Sequence, residues 1–316
     1  MNKTQILKIV LSIISCVVLD ILLHALTSGL STIPEDAVLS EVSRVLGVEG
    51  AASLWALAAF SGVALVFLVL RKDIPGKGIQ KGINYGASVA LLWMMGMLEG
   101  VSLFGNPMIR EFVVGCSDAI PAFVLSILIS TIVPKKTENP SRVLVQSPHR
   151  IWILLTFMIL FTLVRYGGYS TGMLRSGMQE RPWITLIWTF LMGLTTGVGF
   201  LLITSPRDGT PFSEDGKRGA GFLLFGINWV SFLFFMPLMF SGYLGDVLLR
   251  IGIDLMAVVL AMTFSRAVRL VLPKRRRKRK TINGSPRTVE EKEKRLERRD
   301  NWADGSPAAP VVGNHQ

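Results

Sequence analysis

Eight long apolar stretches constrain this sequence more than any other feature. They run over residues 6 to 28, 51 to 70, 83 to 104, 112 to 133, 151 to 169, 183 to 204, 220 to 240 and 247 to 272. Each can cross a hydrocarbon core of roughly 30 Å as a helix of about 20 residues. Because lipid cannot satisfy backbone N–H and C=O groups, a helix is the only open-ended structure that spans it. We therefore predict an all-α integral membrane protein with eight transmembrane helices.

The composition of the chain agrees with this fold class. Half of the 316 residues are hydrophobic and 18% are charged, whereas soluble domains carry about 25% charged residues. This balance excludes a soluble protein built around a single core. The two cysteines, Cys16 and Cys116, lie inside apolar stretches and lack metal-ligand spacing. They predict neither a disulfide framework nor a metal site, and no cofactor is expected.

Loop charges predict how the chain is oriented in the membrane. Lys and Arg gather at the N-terminus and in the loops after the second and fourth stretches, whereas the loop after the first stretch is acidic. By the positive-inside rule, the basic loops are cytoplasmic. We predict a multi-pass protein of the cell (cytoplasmic) membrane, with both termini in the cytoplasm.

The two halves of the chain resemble each other. Trp93, Phe104 and Asp118 recur 136 residues later as Trp229, Phe240 and Asp254. Each half holds four stretches, an even number, so both copies would point the same way and be related by an axis along the membrane normal. We predict two parallel four-helix repeats, residues 1–145 and 146–273, followed by a cytoplasmic tail, residues 274–316.

Small residues spaced four apart predict helix contacts in both halves. Ala58 and Gly62 in the second stretch correspond to Gly193 and Gly197 in the sixth. Helices in lipid associate through the close backbone approach that such patterns allow. We expect the second and sixth helices to contact their neighbours at these positions.

Apart from basic residues at the cytoplasmic ends of the apolar stretches, such as Arg266 and Arg269, seven Asp, Glu, Arg or His residues lie inside them, all in the half predicted to face away from the cytoplasm. They are Asp20, His24, Glu99, Asp118, Arg165, Arg250 and Asp254. A charge at the middle of the membrane costs about 2.5–3.5 kcal/mol on insertion scales unless it is paired or hydrated. One interpretation is a polar cavity between the repeats that binds a ligand. The other is a set of interhelical pairs that fix the packing.

The balance of these charges indicates a class of ligand. Four acids against two arginines favour a cation or a proton over an anion. Asp118 and Asp254 occupy equivalent positions in the two predicted repeats, so we expect them to meet in the cavity. His24 lies one turn from Asp20, and a single histidine does not make a metal site. It is interpreted as a hydrogen-bonded packing residue, and the alternative is a proton-sensitive partner of Asp20.

No complete catalytic motif is present. The chain contains no HExxH, GxSxG, GxxxxGK[ST] or CxxC string, which are the patterns of common metal, acyl-transfer, nucleotide and redox sites. An enzyme is therefore not favoured. An acid pair of Asp118 and Asp254 acting on lipid remains an alternative.

The predicted tail begins with seven consecutive basic residues, Lys274 to Lys280. Next to the last stretch they predict a topogenic stop, and attraction to anionic lipids is worth about 1 kcal/mol per charge near the surface. Nucleic-acid binding is not expected of a run held at the bilayer. A capping box at Thr288 and Glu291 predicts a short solvated helix beyond it.

Together these features favour a transporter or permease-like protein in the lipid bilayer. Its unidentified small-molecule or ion ligand would be a small cation, a proton-coupled solute or an amphiphile. Duplicated bundles suit transporters, but that is an analogy at the level of the fold alone. The alternatives are a non-transporting membrane scaffold or accessory subunit and, less favoured, a lipid-acting intramembrane enzyme.

Overall fold

A computed structural model describes residues 2–30, 37–133, 148–204 and 212–271. Within these ranges the backbone is almost entirely α-helical. The helices are α1 Lys3–Thr27, α2 Glu41–Leu70, α3 Ile79–Leu103, α4 Met108–Ile132, α5 Pro148–Ser170, α6 Pro182–Thr204, α7 Phe212–Phe225, α8 Ile227–Leu233, α9 Phe235–Met239 and α10 Leu244–Val271. Eight spans are long and apolar enough to cross a membrane, which confirms the predicted all-α multi-pass membrane protein.

Most predicted spans agree with the structure to within a few residues. The exception is the second, where α2 begins at Glu41 rather than at residue 51. Ser40 caps this earlier start, because its side chain accepts a hydrogen bond from the Ser43 N–H at 3.0 Å. Gly47, with a φ of 75°, then kinks the helix. The basic run Lys274 to Lys280 and the predicted tail helix lie outside the described residues.

The seventh span, Gly219–Met239, is broken into consecutive helical pieces. The interruptions fall at Gly226 and Phe234, between α7, α8 and α9. Backbone carbonyls of this span accept hydrogen bonds from indole N–H groups of other helices. Trp93 Nε1 donates to the Asn228 carbonyl at 2.9 Å and Trp55 Nε1 donates to the Ser231 carbonyl at 2.8 Å. Irregular backbone at membrane depth is tolerated where protein supplies such partners.

Side chains on both sides of the broken span complete its hydrogen bonding. Asn228 is fully buried beside the first interruption. Its Nδ2 donates to the Phe225 carbonyl at 2.8 Å, and its amide group lies 3.1–3.2 Å from the Tyr85 hydroxyl. At the far end, Ser43 Oγ donates to the Met239 carbonyl at 3.0 Å. The interruptions are thus held by side chains of α2 and α3.

Helix packing differs between the two halves of the chain. α1 packs on α4 and α5 packs on α10, as matched spans of a repeat would. However, α3 packs along α4, where a Cβ at Gly82 would lie 2.7 Å from the Ser126 carbonyl oxygen. The broken span makes only sparse contact with α10, the helix that the repeat would pair with it. The two-repeat arrangement therefore stays a prediction.

The small residues of α6 lie at a helix contact, as expected. A Cβ at Gly193 would lie 2.9 Å from the Met158 Cα, and one at Gly197 would lie 3.0 Å from the Phe157 Cβ, both on α5. In α2 the expectation holds for one residue only. Gly62 approaches the Ser231 hydroxyl of the broken span.

Ala58 is exposed, and the prediction for it is wrong. The buried face of α2 instead carries Ala56, Ala59 and Val63. These residues are close to Ala58 in the sequence but lie on a different face of the helix.

Replacement of Gly193 by Leu tests the α5–α6 contact. The new side chain would collide with backbone atoms of α5, and overpacking of this kind costs about 1–3 kcal/mol in the free energy of unfolding. Gly167→Leu is the matched control, because a Cβ at Gly167 meets no atom within 4 Å. Denaturation in nanodiscs measures both variants. Equal stability of the two would contradict the close packing at Gly193.

Candidate functional site: two buried charge groups and an apolar cavity

The seven ionisable residues predicted to form a site fall into two groups. Asp20 and His24 on α1 meet Asp118 on α4. The other four lie together on three further helices, and they are Glu99, Arg165, Arg250 and Asp254. No hydrogen bond or ion pair between the described residues joins the two groups. Asp118 and Asp254 therefore have separate partners, and the described residues do not bring these two acids together as a pair.

Arg165 on α5 is the centre of the larger group. Its side chain is completely buried and binds Asp254 of α10 through two nitrogens: Nε faces Oδ1, and Nη2 donates to Oδ2 at 2.6 Å. The remaining nitrogen, Nη1, donates to Glu99 Oε1 of α3 at 3.0 Å and to the Tyr169 hydroxyl at 3.2 Å. A two-point guanidinium–carboxylate pair fixes orientation as well as distance.

Arg250 extends this network along α10. Its Nη1 donates to the same Glu99 oxygen, while Nε and Nη2 donate to Asp246 Oδ2 at 3.2 and 3.0 Å. Nη2 also donates to the Arg175 carbonyl at 3.1 Å. We call the five charged side chains the arginine network, and they are Glu99, Arg165, Asp246, Arg250 and Asp254. It joins α3, α5 and α10, and three carboxylates against two guanidiniums leave it with one negative charge in surplus.

Aromatic rings enclose the network on the side of Arg165. The guanidinium carbon lies 5.6 Å from the centre of the Phe161 ring and 5.3 Å from that of Trp188. Such distances allow cation–π attraction. Trp229 of the broken span donates its Nε1 to Asp254 Oδ2 at 2.9 Å. These rings exclude water, which strengthens the ion pairs and raises the cost of leaving one unpaired.

Sequence reasoning missed Asp246, Tyr169 and Trp229 as members of this site. Asp246, Arg250 and Asp254 recur every four residues and so share one face of α10. That spacing was the available signal for Asp246. Nothing in the sequence alone pairs Trp229 with Asp254.

A cavity of about 190 Å³ adjoins the network between α6, α10 and the broken span, and residues of α3 and α5 complete its lining. Its walls are mostly apolar, with Phe161, Met192, Phe222 and Val258 among them, and Asp254 lines it beside Trp229. The cavity occupies the region where the broken span and α10 make few contacts. Asp254 is therefore the charged residue among those that line this mostly apolar cavity.

Three side chains of the cavity wall are also exposed on the outside of the helices. Leu223 and Ile227 of the broken span and Leu255 of α10 line the cavity. They are 36%, 42% and 50% exposed in segments that are apolar enough to span a membrane. A side chain that is both exposed at such a surface and part of the cavity wall marks a lateral mouth. The mouth lies between the broken span and α10.

Hydrogen-bond donors inside the cavity are largely engaged. Ser88 Oγ donates to the Asn84 carbonyl, Thr196 Oγ1 donates to the Met192 carbonyl, and the indole of Trp229 donates to Asp254. The hydroxyl oxygens keep acceptor capacity. A carboxylate has about four lone-pair sites, and Asp254 uses three of them on Arg165 and Trp229. The cavity therefore offers acceptors to a ligand more readily than donors.

The smaller charge group lies between α1 and α4, and we call it the aspartate–histidine triad. His24 Nε2 lies 3.0 Å from Asp118 Oδ1 and 3.9 Å from Asp20 Oδ1. Both carboxylates are buried, whereas the His24 side chain is 34% exposed. The hydroxyls of Thr27 and Ser117 lie 3.3 Å apart on the same pair of helices.

No protein-family model, curated protein or solved structure matches this chain. Its functional site is therefore assigned from the chemistry of the described residues. The cavity beside Asp254 has room for an organic ligand, and the triad is a separate cluster of metal-type ligand atoms.

Removal of Arg165 tests the arginine network. Arg165→Leu leaves Asp254 buried without its ion-pair partner, and breaking a buried pair costs about 3–5 kcal/mol. The double variant Arg165→Leu with Asp254→Leu should recover part of that loss, since neither charge then remains unpaired. Chemical denaturation in nanodiscs measures both variants.

The exposed pair of Arg44 and Glu41 supplies the control for this measurement. Its atoms lie 2.7 Å apart, but both side chains are more than half exposed. Arg44→Leu should therefore cost only about 0.2–1 kcal/mol. A double variant no more stable than Arg165→Leu would show that the two buried charges do not depend on each other.

Proposed function

We propose that this multi-pass membrane protein is a transporter of small cationic amphiphiles, which reach the cavity beside Asp254 from the lipid. The observation that carries the proposal is the pairing of an apolar, laterally open cavity with a single buried carboxylate. An amphiphile has an apolar body and a polar head. The apolar walls of the cavity would contact the body, and the Asp254 carboxylate would bind the head. The proposal selects one of the ligand classes that the sequence favours.

The apolar walls set the size of the ligand body. An enclosed apolar cavity of about 150 Å³ accepts benzene. The cavity here, at about 190 Å³, thus holds a short alkyl chain or a single ring. A longer chain would extend through the mouth beside Leu255, where it would remain in contact with lipid.

The polar end of the cavity sets the charge of the ligand head. Its donors are mostly engaged, and Asp254 keeps an acceptor position. A head that carries several N–H groups and a positive charge fits this arrangement. That charge also balances the one negative charge in surplus on the arginine network, which an anionic head would increase.

A ligand-induced change in the contact between α5 and α10 would link binding to transport. A cationic head at Asp254 competes with Arg165 for the same oxygens, and Arg165 retains Glu99 as a second partner. Ligand binding would therefore weaken the α5–α10 contact relative to the α3–α5 contact. The broken span can accommodate such a shift, and discontinuous helices beside the substrate are a recurring feature of transporters.

Binding is tested with n-hexylguanidinium, whose head is permanently charged and carries N–H donors. It should raise the unfolding temperature of the protein in nanodiscs, since a ligand that binds the folded state stabilises it by mass action. Hexanol and hexanoate, with the same chain but a neutral or anionic head, should have smaller effects. Equal stabilisation by hexanoate would contradict the role given to Asp254.

Two glycines provide matched variants for this test. A Cβ at Gly199 meets its nearest atoms at 3.8–4.0 Å, so Gly199→Leu fits locally and extends into the cavity that Gly199 lines. A Cβ at Gly252 meets no atom within 4 Å, and this residue is exposed. Gly199→Leu should abolish the stabilisation by hexylguanidinium, and Gly252→Leu should retain it.

Transport is tested by counterflow in proteoliposomes. Vesicles loaded with unlabelled hexylguanidinium should accumulate the labelled compound when they contain wild-type protein or Gly252→Leu. They should fail to do so with Gly199→Leu. Stabilisation without accumulation would identify a binding protein and overturn transport. Accumulation by Gly199→Leu at the wild-type rate would exclude the cavity as the route.

A further inference from the structure

The aspartate–histidine triad brings metal-type ligand atoms from two helices to one point. One ligand atom from each of Asp20, His24 and Asp118 lies within 4.8 Å of the others. Two ligands of a transition metal, each about 2.0–2.2 Å from it, are separated by no more than about 4.4 Å. The distances from His24 Nε2, 3.0 Å to Asp118 and 3.9 Å to Asp20, already fall inside that limit.

Among the described residues, none donates a hydrogen bond to one carboxylate oxygen of this cluster. Asp20 is 3% exposed, and its Oδ1 is buried without a hydrogen bond. The same atom points toward His24 Nε2. Buried polar atoms are bonded in the great majority of cases. A side chain that served packing alone would not leave this oxygen facing two other ligand groups.

The charges around the triad are also unbalanced. Two buried carboxylates face one imidazole, and no Lys or Arg among the described residues lies within 4.0 Å of either carboxylate. This arrangement contrasts with the arginine network, where guanidiniums nearly balance the acids. A divalent cation would supply the two positive charges that the carboxylates lack.

We propose that Asp20, His24 and Asp118 bind a divalent transition-metal cation of the Mn²⁺ or Zn²⁺ class. Carboxylates favour Mn²⁺ and imidazole favours Zn²⁺, so a mixed set suits this class. The hydroxyls of Thr27 and Ser117 are additional oxygens nearby on α1 and α4. His24 is partly exposed and lies one turn before the end of α1 at Thr27.

The metal site is independent of the proposed amphiphile cavity. Its ligands belong to α1 and α4, whereas the cavity is lined mainly by α6, the broken span and α10. Failure of hexylguanidinium to bind would leave the metal proposal standing. Absence of metal binding would likewise leave the transport proposal standing.

The experiment uses the full, tag-free protein in zwitterionic nanodiscs, titrated with Mn²⁺, Zn²⁺ and Co²⁺ separately. Calorimetry should show one equivalent of metal per chain, and Co²⁺ should give visible absorption bands typical of a protein-bound ion. Asp20→Asn and Asp118→Asn keep the side-chain shape and remove a charge. Each should weaken binding by more than about tenfold, since even indirect supporting partners contribute that much.

Two further variants separate ligation from general charge and folding effects. Glu49→Gln removes a negative charge from an exposed residue and should leave the affinity unchanged. His24→Gln should remove the imidazole nitrogen coupling from the electron spin echo of bound Mn²⁺. If an aspartate variant fails to fold, that spectroscopic change still decides the role of His24.

Three outcomes would overturn the metal site. The first is a folded wild-type protein that binds no stoichiometric metal. The second is wild-type affinity in folded Asp118→Asn. The third is a wild-type unfolding temperature that changes with pH but not with added metal, together with an Asp20→Asn variant whose unfolding temperature does not change with pH. This result would identify a proton shared by the two carboxylates.

Discussion

Complete burial of one guanidinium, that of Arg165, is the constraint on which the second half of the bundle depends. A buried charge without partners is among the most costly features a membrane protein can contain. Arg165 therefore requires Asp254 from α10 and Glu99 from α3. Those two bonds set the rotation of three helices about their axes and their relative heights. Trp188 and Phe161 pack over the same group and keep it dry.

The broken span lets a cavity exist beside this network. A continuous helix packed along α10, as α3 is packed along α4, would fill the same space with side chains. The interruptions at Gly226 and Phe234 expose carbonyls that Trp55 and Trp93 of the neighbouring helices bind. The broken span thus packs sparsely against α10 and more extensively against α2. The helix interruptions in this span therefore account both for the cavity and for the hydrogen bonds from the two tryptophans.

Sequence reasoning predicted the features that depend on local chemistry. Hydrophobic length alone located all eight spans, and the glycines of α6 indicated its contact with α5. Partners in space were harder to predict, because they depend on which helix faces are adjacent. Asp118 and Asp254 were expected to meet, yet each binds a different helix. The rotation of α2 likewise put Ala58 on the surface. Orientation in the membrane and duplication of the chain stay predictions.

Under the proposed function, the lateral mouth of the cavity determines the phase from which a ligand is drawn. A compound that arrives through the gap between the broken span and α10 is drawn from the pool dissolved in the bilayer, not from the aqueous phase. Its occupancy follows its membrane partition coefficient multiplied by its affinity for the site. Among compounds with equal affinity for the cavity, those that partition more strongly into the membrane would saturate the protein at a lower total concentration. Selectivity among such compounds then depends both on the residues that line the cavity and on how strongly each compound partitions into the membrane.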